Sequence, residues 1–305
     1  MNAPAPSERS RIAVLGSANM DLVVRQSRLP RPGETMFGSN CTTVPGGKGL
    51  NQAVAAARAG GVVEFLGAVG ADAFGSELRE CLRLEGIGVD GLATVAEPTG
   101  TAHIAVLDGG ENTIVVVSGA NVAQAALDSS TRDRIAESAY LVVQFERPAA
   151  LVAEALAFAR ERGITTVVTP APVLPVEAGL LSLVDILVPN EQEARELAGV
   201  DDELDAARAL SRQAGIVVVT RGARGAVVAR GGELITDVPP HPVEAVDTTA
   251  AGDTFVGVLV ARLASGDELD AALEAASVAA AVSVTRPGAS TSMPTWDEIA
   301  SALRA

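Results

Sequence analysis

The stretch AVDTTAAGDTF, Ala245 to Phe255, sets two aspartates, three threonines and a glycine ahead of FVGVLVARLAS, an apolar run of helical character. Backbone N–H groups at a helix N-terminus lack intrahelical acceptors and carry partial positive charge. Those of Ala250, Ala251, Gly252 and Asp253 can therefore form a hole for an anion without any basic side chain. The same positive end favours an ionised Asp253, a carboxylate able to take a proton from an alcohol. A plainer reading has Gly252 and Asp253 only opening and capping the helix. Both readings stand on the residues alone.

A second chemical signal is a matter of choice of cation. Of the 23 basic residues 22 are Arg, and the one Lys is Lys48 in VPGGKGLNQA. A compact ammonium placed where the chain elsewhere always uses a planar fork points to a chemical requirement at that position. The segment is not a Walker A loop, because Gly49 follows Lys48 and Thr42 stands where that motif needs glycine. Nor does the first strand open a dinucleotide fingerprint: it runs into Gly16-Ser17-Ala18-Asn19, without GxGxxG. Three loops follow strands and precede helices: Gly47 to Asn51, Asn190 to Glu193, and Gly252-Asp253. Such loops gather at one edge of a parallel sheet. Asn190-Glu191-Gln192-Glu193 also fits a capping box.

These groups need a scaffold, and the chain can supply one. Its 305 residues are 48% hydrophobic but only 3% aromatic, which implies a core of Ala, Val and Leu in helices packed on buried strands. RIAVLGS, VVEFLGAVG, AYLVVQF, ITTVVTP, DILVP and GIVVVT read as strands. GLNQAVAAARAG, AFGSELRECLRLEG and PAALVAEALAFARERG read as helices between them. This alternation predicts an α/β fold with a mainly parallel central sheet covered by helices on both faces. Two segments break the rhythm: DLVVRQSRLPRPGETMFGSNCTTV, and the pair TAHIAVLD and NTIVVVSG around Asp108-Gly109-Gly110-Glu111, a predicted hairpin. Small antiparallel strands inserted there can form a lid over the carboxyl ends of the parallel strands, where ligands bind in open sheets, or simply extend the sheet. Alternation assigns Ile104, Val106, Val115 and Val117 to one apolar face of that hairpin. The plan is one domain over 11–305, a lid from about 21–43 and 99–118, and a flexible tail at 1–10.

A formal charge of −15 without a basic run argues against nucleic-acid binding. No apolar run reaches the roughly 18 residues of a membrane span, and MNAPAPSERS lacks the order of a signal peptide. Cys41 and Cys81 have neither a CxxC partner nor a nearby His, which fits reduced thiols in a cytoplasm. His103 and His241 belong to no motif and read as structural or surface residues.

GSANMD, PGET, GGKGLNQAVAA, PNEQEA, TRGARG, AVDTTAAGDTF and VTRPGA occur in order from about Arg11 to the C-terminus, and together they resemble the PfkB-type, or ribokinase, family of carbohydrate kinases. The resemblance implies a ribokinase-like fold and transfer of the ATP γ-phosphoryl group to a primary hydroxyl of a sugar. GGKGxNQA is similar to the branch that phosphorylates the 5-hydroxyl of D-ribose. The alternatives are a 2-deoxyribose, nucleoside or fructose kinase, or a sugar-binding regulator that has lost the chemistry. By the same match Asp253 is the base, and Ala250, Ala251 and Gly252 form the anion hole. Asn19, Asp21, Gly47, Lys48, Asn51, Glu146 and Asp253 hold the sugar. Asn190, Thr220, Gly222, Arg224, Gly225, Gly252 and Ser277 hold ATP. Glu193 acts on Mg²⁺ through water. K⁺ lies among Asp247, Thr249, Ser283, Arg286, Gly288 and Ser292, mostly on main-chain oxygens, although an Asx turn at Asp247 is the plainer reading of that residue. Two clasped lids imply a homodimer. The chain departs from the family at Thr169, where Asn is common, and at Ser277, where His or Asn is frequent.

Overall fold

A computed structural model describes residues 10–304 except 110, 176 and 178. The expected tail, apart from Ser10, and Gly110 of the hairpin turn lie outside the described residues. The strands are β1 Arg11–Leu15, β2 Asn19–Gln26, β3 Asn40–Gly46, β4 Val62–Gly70, β5 Leu92–Val95, β6 Gly100–Leu107, β7 Asn112–Val117, β8 Tyr140–Gln144, β9 Thr165–Thr169, β10 Ile186–Leu187, β11 Ile216–Thr220, β12 Ala226–Arg230 and β13 Glu233–Val238. The helices are α1 Lys48–Arg58, α2 Ala73–Leu84, α3 Ser129–Ala136, α4 Ala149–Glu161, α5 Glu191–Ala198, α6 Glu203–Leu210, α7 Ala251–Ala264, α8 Leu269–Ser283 and α9 Trp296–Ala302.

Nine strands form the main sheet in the order β13-β12-β11-β10-β9-β8-β1-β4-β5. From β11 to β5 every pairing is parallel, and only β12 and β13 add antiparallel strands at one edge. Alternation along β1 splits the core. Ile12 and Val14 face one cluster with α1, α2, α7 and α8, while Ala13 and Leu15 face another with α4 and α6. Both faces are therefore covered, as continuous apolar strands require. The chain turns outward in opposite directions from β1, toward β4 on one side and β8 on the other, so a switch-point crevice opens at the carboxyl ends of β1 and β8. Among the described residues no helix is long and apolar enough to cross a membrane.

The interrupting segments form a separate four-stranded sheet in the order β3-β2-β6-β7. It is not wholly antiparallel, because β2 and β6 run parallel in register from Asn19↔Gly100 to Gln26↔Leu107. The hairpin itself forms, but its faces differ from the expected ones. Ile104 pairs with Ile114 and His103 with Val115, so Val115 and Val117 lie on the opposite face of the hairpin from Ile104 and Val106. The cause is loop length. Leu107 N–H donates to Glu111 O at 2.9 Å, which fixes the register of both strands and hence which side chains share a face.

One glycine contact sets how closely α1 approaches β1. A Cβ on Gly49 would lie 2.6 Å from Gly16 Cα and 2.6 Å from Ser17 N, both backbone atoms that cannot swing away. Gly49→Ala is expected to destabilise the protein by about 1–3 kcal/mol through overpacking, read as a lower denaturation midpoint at unchanged slope. An unshifted midpoint would show that the approach has slack.

Candidate active site

The turn at Ala245 to Phe255 settles the question of the cap. Helix α7 begins at Ala251, its N-cap is Ala250, and no side chain caps it. Ala250 has φ 59°, the one non-glycine residue with positive φ among the described residues. Strain of this kind persists where surrounding structure imposes it. The carboxylate of Asp253 turns away from its own helix end. Asn51 Nδ2 donates to Asp253 Oδ2 at 3.2 Å and Gln52 Nε2 to Asp253 Oδ1 at 2.9 Å. Among the described residues the amides of Gly252 and Asp253 have no backbone acceptor, whereas that of Ala251, expected in the same hole, bonds Thr248 O at 3.3 Å, and Thr254 N–H bonds Ala250 O at 2.8 Å.

On the Asp253 side, the expected sugar residues come together at the switch-point crevice. Asn19 and Asp21 enter on β2, directly after β1. Gly47, with φ 93°, is the N-cap of α1, and Lys48 is the first residue of that helix. Glu146 follows β8; its Oε2 accepts from Lys48 N at 3.1 Å and from the Ser17 hydroxyl. Asp21 packs on Gly46, where a Cβ would lie 2.2 Å from its Oδ2. Asn121 Nδ2 donates to Asn19 Oδ1 at 2.7 Å, which leaves the Asn19 NH₂ as the end free to serve a ligand. Asn51 Oδ1 is buried without a partner, an acceptor suited to a hydroxyl.

On the other side of the same turn lies a cavity of about 500 Å³ lined by Thr220, Gly222, Gly225, His241, Ala251, Gly252, Phe255 and Ser277, among others. Thr220 also bridges Asn190 across adjacent strand ends. Arg224 is turned out of this cavity: its guanidinium pairs with Glu203 at 3.0 Å and with Glu191. The capping box is present, with Asn190 Oδ1 accepting from Glu193 N and Glu193 Oε2 accepting from Asn190 N, each at 2.8 Å. The Asx turn is present as well. Asp247 Oδ1 accepts from Thr249 N at 2.9 Å, and Asp247 Oδ2 accepts from Gly288 N at 2.9 Å, which ties the two loops of the expected K⁺ site together. Ser283 and Ser292 direct their hydroxyls to nearby carbonyls, and Arg286 reaches Glu298 at 2.5 Å.

Residues 9–296 match the model of the pfkB family carbohydrate kinases. The chain belongs to that family. It is 42% identical over 299 residues to a ribokinase of Haemophilus influenzae, covering 95% of this chain and 97% of the other. It is 39% identical to a ribokinase of Bacillus subtilis, covering 94% and 97%. A solved structure of Arabidopsis thaliana ribokinase complexed with ribose and ATP superposes with a TM-score of 0.91 at 29% identity, covering 97% of this chain and 99% of that one.

In this pfkB kinase the lone lysine has a physical explanation. Lys48 has its ammonium stabilised first by Asp253, then by Glu146 and Glu193, against the opposing effect of burial. Burial raises Asp253 above the ordinary carboxylate range, although Lys48 and the two amide donors oppose that shift. Glu193 is raised by burial too. Sequence reasoning missed Gln52, Gln144, Ser17 and Asn121, all buried polar residues in this region. It also set aside His241, which lines the cavity. Gln52 lies inside the quoted GGKGLNQA motif, but its helical position gave no sign of a polar role.

Asp21 is pushed up to about 7, first by burial and then by the charge of Glu146. Above that value its carboxylate accepts hydroxyl donors; below it the group is neutral and loses acceptor strength. The KM for sugar is therefore expected to rise as pH falls from about 8 to about 6, where roughly nine-tenths of the group is protonated. A KM independent of pH over that range would contradict this placement of Asp21.

Proposed function

We propose that the chain is a ribokinase that transfers the γ-phosphoryl group of Mg·ATP to the 5-hydroxyl of D-ribose, giving D-ribose 5-phosphate and ADP. One observation carries the reading: the first turn of α7 is a shared wall, with Asp253 facing the polar cluster and Ala251 and Gly252 lining the cavity. Asp253 takes the proton of the 5-hydroxyl as its oxygen bonds the γ-phosphorus. The bond from phosphorus to the bridging oxygen breaks, and its electron pair leaves with ADP. The unbonded amides of Gly252 and Asp253 stabilise charge on the transferring group, as preorganised dipoles do at a helix start.

Ribose is bound by Asn19, Asp21, Gly47, Lys48, Asn51 and Glu146, a set with both donors and acceptors for a polyol. ATP occupies the cavity, bounded by Thr220, Gly222, Gly225 and Ser277 with Asn190 at its edge; Arg224 contributes by holding Glu191 and Glu203 beside the loop. Residues 11–305 act as one cytoplasmic kinase domain with the small sheet as its lid. Asp253→Asn is expected to lower ribose-dependent ADP release by about 10²–10⁴-fold with ribose binding retained. Near-normal turnover would remove Asp253 as the base, and faster turnover of fructose or a nucleoside would reassign the substrate.

Glu193 suits Mg²⁺ held through water, since a metal serving phosphates commonly takes few protein ligands and its carboxylate stands near Lys48 and Asp253. When bound, Mg²⁺ neutralises charge on the phosphates. Asp247 and Thr249, with Ser283, Arg286, Gly288 and Ser292, suit K⁺. The Gly288–Asp247 bond brings the two loops together, and the Arg286 guanidinium is engaged by Glu298, so a carboxylate and main-chain oxygens define the donor set. KCl at constant ionic strength is expected to raise turnover over NaCl; equal rates would remove the cation site.

The small sheet also supports a homodimer. All of β7 is exposed, with Ile114 54%, Val115 65%, Val116 51% and Val117 52% accessible, and it is an edge strand. An exposed apolar edge is an aggregation hazard unless covered, and a second lid would cover it. Sedimentation at micromolar concentration is expected to give a dimer; a monomer would contradict the clasp.

A further inference from the structure

Behind Asp253 runs a chain of buried amides that the reaction as described does not use. Gln144 is the last residue of β8 and Gln52 lies in α1; they are 0% and 1% exposed. Gln144 Nε2 donates to Gln52 Oε1 at 2.6 Å. Gln52 Nε2 in turn donates to Asp253 Oδ1 at 2.9 Å and to Thr169 Oγ1 at 3.2 Å. A primary amide has one acceptor end and one donor end. With its oxygen engaged by Gln144, Gln52 must present its NH₂ to Asp253, and Thr169 takes the second hydrogen. Thr169 stands beside Gln144 in the β8–β9 register, so adjacent strand ends supply both restraints. The far end of the chain is wedged: a Cβ on Gly16 would lie 2.4 Å from Gln144 Oε1, which has no hydrogen-bond donor. Burying polar groups is costly unless they are hydrogen-bonded, and here the bonds between them run in one line to Asp253.

We propose that Gln144 and Gln52 are positioning residues that fix the rotamer of the Asp253 carboxylate through Oδ1, leaving the Oδ2 side, held by the longer bond to Asn51, to take the proton of the sugar hydroxyl. The inference rests on Asp253 being the base. Gln144 acts only through Gln52, whose amide it orients by donating to Oε1, and Thr169 accepts the second Gln52 hydrogen and so holds that amide in place. The role also has a pH signature. The charged groups facing Asp253 are Lys48 from α1, Glu146 after β8 and Glu193 from α5. The Gln52 hydrogen bond adds to Lys48 in favouring the ionised carboxylate. Removing it moves the acid limb of kcat to higher pH, because the base then deprotonates later as pH rises.

The test compares full-length Gln144→Leu, Gln52→Met and the double variant with the parent, using the sugar that the parent turns over fastest, so that a different sugar preference bears on the ribose reading alone. Each single variant is expected to lose about 10–100-fold in kcat, the scale of a misplaced catalytic group. The sugar KM should stay within about threefold and the acid limb should move up. The double variant should be no worse than Gln52→Met, since coupled residues are not additive. Thr169→Val, nearly isosteric, carries the test if the apolar variants do not fold: a three- to tenfold lower kcat with the same upward limb is expected. Parent-like kcat with an unmoved limb, a loss confined to KM or to melting temperature, or losses that multiply in the double variant would overturn the proposal.

Discussion

The close approach of α1 and α7 at Gly257 is the constraint on which the candidate site depends. A Cβ there would lie 2.5 Å from both Ala55 Cβ and Gln52 O, so the helices touch through backbone and small side chains. One turn nearer the start of each helix, the same contact sets Asp253 opposite Asn51 and Gln52. A carboxylate can be buried at that point because two amides and one ammonium compensate it, whereas an unpaired one would protonate or destabilise the fold. The apolar helix interface and the geometry of the candidate site are one packing arrangement viewed at two heights.

The charge of the protein makes this arrangement more demanding. A chain with net charge −15 must bring a polyphosphate next to carboxylates. Long-range attraction does not help. In the proposed site local devices would: main-chain N–H groups at the start of α7, glycine loops open to a ligand's approach, and Lys48. That lysine answers three carboxylates at once, which suits a compact charge without the fixed plane of a guanidinium. Arg residues serve elsewhere as braces, as where Arg58 joins Glu85 to the carbonyls of Ser290 and Met293.

Much of this was legible in the residue order. Strands and helices alternate strongly, and each expected strand of the main sheet forms, because buried parallel strands leave long apolar runs between glycine-marked ends. The hairpin faces were not legible, since a turn of four residues sets register and alternation alone does not. Whether Asp253 caps its own helix was undecidable locally; it depended on where α1 passes, 202 residues earlier in the chain, because Asn51 takes up the carboxylate there. Gln52 and Gln144 look like an ordinary helix residue and the end of an ordinary strand. Only the fold shows that their amides meet.

The small sheet and the proposed sugar cluster share residues, which would tie binding to the lid. Asn19 and Asp21 are the first and third residues of β2, an inner strand that pairs with both β3 and β6. Asn121, in the turn after β7, accepts from Ala18 N at 3.0 Å and donates to Asn19, so the far end of the hairpin is fastened to the beginning of β2. Just before β6, Asp72 accepts from Thr99 N at 2.8 Å, which fixes the entry to that strand against the cap of α2. A ligand that bonds Asn19 and Asp21 therefore bonds the lid itself, and any rotation of the small sheet must carry those two side chains with it.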